Sequence, residues 1–162
     1  MGAAILFSSG LFAQKTPYPT YYVQSGLGIG ANYGLFGTKT IVGKNGSGLL
    51  LSLGTGVEGD LGYQVGGQVC AKWWYLNAAY GVYGHNAYSY RGEQLDEAMK
   101  GVTVMMGGMI NIGKPKRFFI DLGVGGSFGY TYKNPFTRRD EHIGGVSFAF
   151  GAGYRIGGYK KN

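Results

Sequence analysis

The sequence predicts an all-β protein, an eight-stranded antiparallel up-and-down transmembrane β-barrel, on three observations. Glycine supplies 33 of the 162 residues and proline four. Each glycine would cost about 1 kcal/mol in a helix interior, and without a three-residue glycine period collagen is excluded. Aromatics reach 15% while charged residues reach only 14%, the reverse of a disordered composition. Apolar side chains then recur at every second position over most of the chain, the period of a strand with unlike faces.

Met1 to Gln14 stands apart. The segment MGAAILFSSGLFAQ is uncharged and reads as the apolar core and exit of a secretory signal peptide. Ala13 is the expected cleavage point, although Leu11 fits the minus-three position poorly. The missing basic residue before the apolar run places the true start upstream of Met1. Residues 15–162 then form a single exported barrel domain, and a buried N-terminal strand is the alternative.

Alternation begins with Tyr21, Val23, Leu27 and Ile29 opposing Gln24, Gly26, Gly28 and Gly30, with Ala31 and Tyr33 continuing the apolar series. It recurs as Leu49, Leu51 and Leu53 against Ser52, Gly54 and Gly56. Next come Leu61, Tyr63, Val65 and Val69 against Gly62, Gln64, Gly66 and Gln68. At Trp73-Trp74 the phase moves to even numbers: Trp74, Leu76, Tyr80 and Val82, then Val102, Val104, Met106, Ile110 and Ile112. The last two strands are the clearest, Phe118 to Tyr132 facing away from Asp121 and Gly123, and Val146 to Ile156 facing away from Ser147 and Arg155.

The small-residue face is mostly Gly, Ser, Asn and Gln, too poor in charge to be a water-facing surface. A membrane barrel inverts the soluble pattern, with bulky residues toward lipid and small ones toward a narrow lumen. Tyr21, Tyr22, Trp73, Trp74, Tyr132 and Tyr154 are then expected as interfacial aromatics. Seven strands are plain, yet closed single-chain bacterial barrels have an even number. A short strand over Phe36–Gly43, with Phe36, Thr38, Thr40 and Val42 outward, supplies the eighth and leaves Lys44-Asn45-Gly46-Ser47 as an Asn-Gly hairpin turn. Residues 87–100 and 133–142 are expected as long extracellular loops, and Gly113-Lys114-Pro115-Lys116 as a periplasmic turn.

This topology distributes the formal charge of +7. Lys15, Lys44, Lys72, Lys114, Lys116, Arg117, Lys160 and Lys161 gather at the periplasmic end, a basic rim facing lipid head groups or periplasmic polymers. In the loops, Arg91, Lys100, Lys133, Arg138 and Arg139 balance Glu93, Asp96, Glu97, Asp140 and Glu141. Nucleic-acid binding would need basic and aromatic residues on one surface, and here the aromatics face the other way. No nucleic-acid partner is expected.

Strands such as FFIDLGVGGSFGYTY and GGVSFAFGAGYRI, with the exit sequence LFAQ, make the chain from Tyr21 onward resemble the small eight-stranded bacterial outer-membrane β-barrel proteins, the group around the OmpA transmembrane domain and OmpX. The resemblance implies an outer-membrane location. Such proteins usually end in an aromatic residue read by the barrel-assembly machinery, whereas this chain ends Tyr159-Lys160-Lys161-Asn162, so Tyr159 would have to serve or a different signal applies.

An eight-stranded barrel is just wide enough for side chains to fill, so the lumen is expected to be plugged. Pairing Tyr132 with Gly144 would bring Asp121 opposite Arg155 as a lumenal ion pair, with Glu58, Lys72 and His85 completing a structural polar network. His85 and His142 stand near the loop rim, where the lipid A deacylases place a His with a Ser two residues on. Here those positions are Ala87 and Gly144, so the hydroxyl an imidazole would activate is missing. Ser89 with Glu93 or Glu97 is a loose substitute.

The Gly26-x-Gly28-x-x-Ala31 match lacks the helix a dinucleotide motif needs. Cys70 alone makes no disulfide or metal cluster, and it falls on the lumenal phase as a small filler. No enzyme activity, cofactor or metal is expected. The role is structural or interactional, with outer-membrane lipid around the barrel and a surface or periplasmic protein as partner. Loop contacts would come from Tyr88, Tyr90, Arg91, Arg138 and Arg139. A narrow pore for small solutes or ions is the first alternative, and a lipid A-modifying enzyme the second.

Overall fold

The computed structural model describes residues 19–34, 36–55, 61–90, 93–112, 117–133 and 140–158, with backbone alone at 84–90, 93–99, 130, 132–133, 140–143 and 158. Eight antiparallel strands close into one barrel, each paired with its neighbour in sequence and β8 returning to β1. They are β1 Tyr21–Gly30, β2 Phe36–Lys44, β3 Ser47–Thr55, β4 Leu61–Ala71, β5 Trp74–Tyr90, β6 Glu93–Ile112, β7 Phe118–Lys133 and β8 Asp140–Gly158. The eighth strand demanded by parity is β2. The expected Asn-Gly turn follows it, with Asn45 at φ 51° and Gly46 at φ 87°, the two left-handed residues a type I′ hairpin requires.

The faces are assigned as the alternation predicts. Val23, Leu27, Leu51, Leu53, Tyr63, Val65, Met106, Ile110, Val124, Phe148 and Phe150 all point outward and are exposed. Inside, apolar Tyr22, Ile41, Leu50, Cys70, Tyr75, Ala79, Met109 and Phe119 form one cluster. Ala31, Tyr33, Met105 and Ala149 form another, with Tyr83 against it. The interior is therefore a mixed core rather than a mainly polar one. It fits because large inward side chains lie over glycines of facing strands. A Cβ on Gly123 would meet the Tyr75 hydroxyl at 2.5 Å, and one on Gly153 would meet the Phe119 ring at 2.5 Å.

This packing predicts unequal outcomes at two glycines under Tyr75. Gly123→Ala should cost about 1–3 kcal/mol by overpacking. Tyr75→Phe in the same chain should relieve part of that cost, since the nearest atom is the hydroxyl. Gly107→Ala should not be rescued this way, because its Cβ would also strike the Leu122 carbonyl oxygen. Denaturant midpoints of the two alanine variants, each with and without Tyr75→Phe, separate the cases.

Five expectations are corrected. Tyr22 points inward and is buried rather than interfacial. Val82 is buried rather than outward, where the β5–β6 register shifts between Val82 and Gly84. Ala31 and Tyr33 also turn inward, because Gly30 at φ 97° breaks the alternation and folds residues 31–34 into the barrel mouth. The segment is held there by the Ala31 amide donating to the Phe148 carbonyl at 2.8 Å and by Ser52 Oγ donating to the Asn32 carbonyl at 2.7 Å. Residues 87–100 are not a long loop: β5 and β6 continue as a paired hairpin to Tyr90↔Glu93. Residues 133–142 are likewise shortened, with Lys133 pairing with Asp140. The signal segment and the turn at 113–116 lie outside the described residues.

Candidate functional site

At the centre of the lumen a buried ion pair joins β2 and β7. Lys39 Nζ donates to Asp121 Oδ2, and both side chains are almost wholly enclosed. The Tyr33 hydroxyl donates to the same oxygen at 2.7 Å. The ammonium also lies 5.1 Å from the Tyr33 ring centroid and 4.8 Å from that of Tyr75, within the range of cation–π attraction. One carboxylate thus neutralises the lysine while two aromatic rings close around it. Tyr33 can take part only because Gly30 redirected the chain inward.

Nearer the end that carries the Asn45-Gly46 turn, Arg155 spans the lumen. Its Nε and Nη2 donate to Gln24 Oε1 at 3.0 and 2.9 Å, and Nη1 donates to Asn111 Oδ1 at 3.3 Å. Gln24 Nε2 in turn reaches Met109 Sδ at 2.9 Å, and the guanidinium stands 6.0 Å from the Tyr22 and Phe119 rings. On the β4–β5 wall, Asn77 Nδ2 donates to Gln68 Oε1 at 3.3 Å, and Gln68 Nε2 to Cys70 Sγ at 3.2 Å. Cys70 is buried on the lumenal face, as its phase predicts.

The expected Asp121–Arg155 pairing is replaced by these two separate sites. Asp121 faces Gly151 across β7–β8, and Tyr132 faces Glu141 rather than Gly144. The four-residue error in register displaces position 155 by roughly 13 Å along the strand. An extra residue in β7 between Ser127 and Tyr130, with Gly129 at φ 67°, adds a bulge that the alternation concealed. Lys72 is corrected too. It is the first of two turn residues between Ala71 and Trp74, exposed and at φ 57°, not lumenal. Glu58 and the His85 side chain lie outside the described residues.

Lys39 is the lumenal residue that sequence reasoning missed. Its position between Thr38 and Thr40 is the available signal, since the alternation that turns both threonines outward turns the residue between them inward. Among the described residues, further buried atoms have no protein hydrogen-bond partner: both amide atoms of Gln64 and Asp121 Oδ1. Such atoms are where buried water is expected in a packed interior.

The other distinctive region is the end opposite the Asn45-Gly46 turn. Pairing of β4 with β5 stops at Tyr63↔Val82, and pairing of β8 with β1 stops at Gly30↔Ala149. Beyond these levels β5–β6 rises as one hairpin, from Gly84↔Met99 to Tyr90↔Glu93, a reach of roughly 20 Å. The β7–β8 hairpin rises beside it to Lys133↔Asp140. The backbone of Tyr88 and Tyr90 lies on the first hairpin, opposite Leu95 and Glu93. His85 sits on that hairpin opposite Ala98, and His142 on the other opposite Thr131. The side chains of Tyr88, Tyr90, His85 and His142, and residues Arg91, Arg138 and Arg139, lie outside the described set.

Comparison of the chain with protein-family models, curated proteins and solved structures finds no match. The fold therefore rests on its strand order and register, which form an up-and-down barrel of the kind seen in small eight-stranded outer-membrane proteins.

Proposed function

We propose that the chain is an exported, non-enzymatic outer-membrane β-barrel whose lumen is plugged and whose raised hairpins carry its contacts with a partner. The observation that supports this most is the inversion of the barrel. A belt of Val, Leu, Ile, Phe and Met is exposed all round the wall, while Lys39, Asp121 and Arg155 are buried. That arrangement is costly in water and suited to hydrocarbon. Tyr21, Trp73 and Trp74 are exposed at the turn-bearing end, where an aromatic belt would meet the interface.

A plugged lumen fits a structural or adhesive role better than transport. Tyr33, Tyr75, Lys39 and Asp121 close it at mid-height, and Arg155 with Gln24, Tyr22 and Phe119 closes it again below. The β5–β6 and β7–β8 hairpins are then the elements offered to a surface partner, with Tyr88 and Tyr90 as contact residues of low conformational cost. In planar bilayers the reconstituted barrel should give no stepwise conductance at moderate voltage. Regular steps would move the reading to the narrow pore, and release of fatty acid from lipopolysaccharide would move it to the lipid A-modifying enzyme.

A further inference from the structure

We infer that the outer wall at β7–β8–β1 holds one anionic phospholipid, its phosphate on Arg117 and Tyr154 and an acyl chain in the groove over Ala152. This rests on the membrane reading and adds a specific site to it. The wall there carries a groove of about 730 Å³. Its floor is Ala152, a small outward residue paired with Leu27 on one side and Ile120 on the other. Both neighbours stand higher than the alanine methyl, and Phe150 and Tyr154 flank it along β8, so the surface is recessed by one side chain over Ala152 in a groove lined from Ile112 across to Thr38.

Toward the turn-bearing end the groove has a polar head, while the hydroxyl of Thr38 stands beside Leu27 along its wall. Tyr154 follows Ala152 on the same face of β8, toward the turn-bearing end, and its ring is fixed edge-on against Phe118 with centroids 4.9 Å apart. Arg117 Nη1 donates to the Tyr154 hydroxyl at 3.1 Å. The tyrosine accepts in that bond and keeps its own proton to donate. The exposed guanidinium keeps its remaining N–H groups, arranged to grip phosphate oxygens in a bidentate fashion. Beside Tyr154 in register stands Ser25, whose hydroxyl pairs with that of Thr40 at 3.0 Å. These hydroxyls lie at the depth where ester carbonyls of a lipid would follow its phosphate.

Charge, hydroxyls and an apolar trough thus succeed one another in the order of a glycerophospholipid: phosphate, ester, chain. A zwitterionic lipid presents the same phosphate but adds a cation beside Arg117, so an anionic head group is favoured. A second outward groove, at Trp73, Trp74 and Phe148, has no basic residue among the described residues of its lining.

The test is native mass spectrometry of the full folded chain in nonionic detergent, supplied with dioleoylphosphatidylglycerol or dioleoylphosphatidylcholine. One phosphatidylglycerol should remain bound under activation that strips phosphatidylcholine. Arg117→Gln should lower its occupancy at least about tenfold, the effect of losing a charge-assisted contact. Lys72→Ala, which removes an exposed cation on the β4–β5 turn across the barrel, should leave it unchanged. Ala152→Phe should lower phosphatidylglycerol occupancy by filling the trough. Should that variant fail to fold, the comparison of Arg117→Gln with Lys72→Ala decides alone. Equal retention of both lipids, or equal loss in the Arg117 and Lys72 variants, overturns the site. A chain that is monodisperse without detergent overturns the membrane reading, and the lipid site with it.

Discussion

Asp121→Ala should destabilise the folded barrel by about 3–5 kcal/mol, the typical cost of removing one partner from a buried ion pair. Without the carboxylate, the Lys39 ammonium remains enclosed between the Tyr33 and Tyr75 rings, and Tyr33 loses its acceptor. Lys39→Met should cost a similar amount, leaving the carboxylate with the tyrosine hydroxyl alone. The double variant Lys39→Met, Asp121→Ala should be far less destabilised than the sum of the two, because no uncompensated charge is left inside. Urea unfolding followed by far-UV circular dichroism measures all three. Single variants within 1 kcal/mol of the parent chain would mean that the pair is hydrated rather than buried.

Leu51→Arg should cost about 2–4 kcal/mol, because Leu51 stands mid-strand on the outer face of β3 and would lie near the bilayer midplane. Tyr21→Arg, at the end of β1, should cost about 1 kcal/mol or less, since arginine is tolerated near the interface. The depth dependence is the diagnostic feature. On a soluble barrel both positions face water, and both substitutions would fall within about 0.5 kcal/mol of zero. Refolding into phosphatidylcholine vesicles, with stability read from tryptophan emission, separates the outcomes.

Fold and wall were legible because a strand's two-residue period exposes its faces directly. The shift to even numbers at Trp73-Trp74 marked a real two-residue turn, with Ala71 paired to Trp74. Strand parity located β2, and Asn45-Gly46 identified its turn. What failed was register. The alternation specifies which face a residue takes, but a slip of two or four residues preserves every face. Nothing in the sequence pattern therefore pinned the β7–β8 register, and the bulge at Gly129 left no trace in it.

The lumenal site was legible only in part, for the same reason. Asp121 and Arg155 were placed on the correct inner face, yet each bonds to strands far away in sequence: Asp121 to Lys39 and Arg155 to Gln24. Only barrel closure and stagger set those partners. Tyr33 was misplaced because the positive φ at Gly30 ends the alternation and turns residues 31–34 inward together. The raised hairpins were misread because Glu93, Asp96, Glu97 and Lys100 look like loop residues.

The central claim is that the bulky face of this barrel meets lipid. Gel mobility of the detergent-extracted outer-membrane fraction, boiled against unboiled, tests it most directly. A closed membrane barrel often resists detergent until heated, so the unboiled chain should run at a different position from the boiled one and should be recovered with membranes. Recovery as a soluble periplasmic protein, with one mobility before and after boiling, would contradict the account.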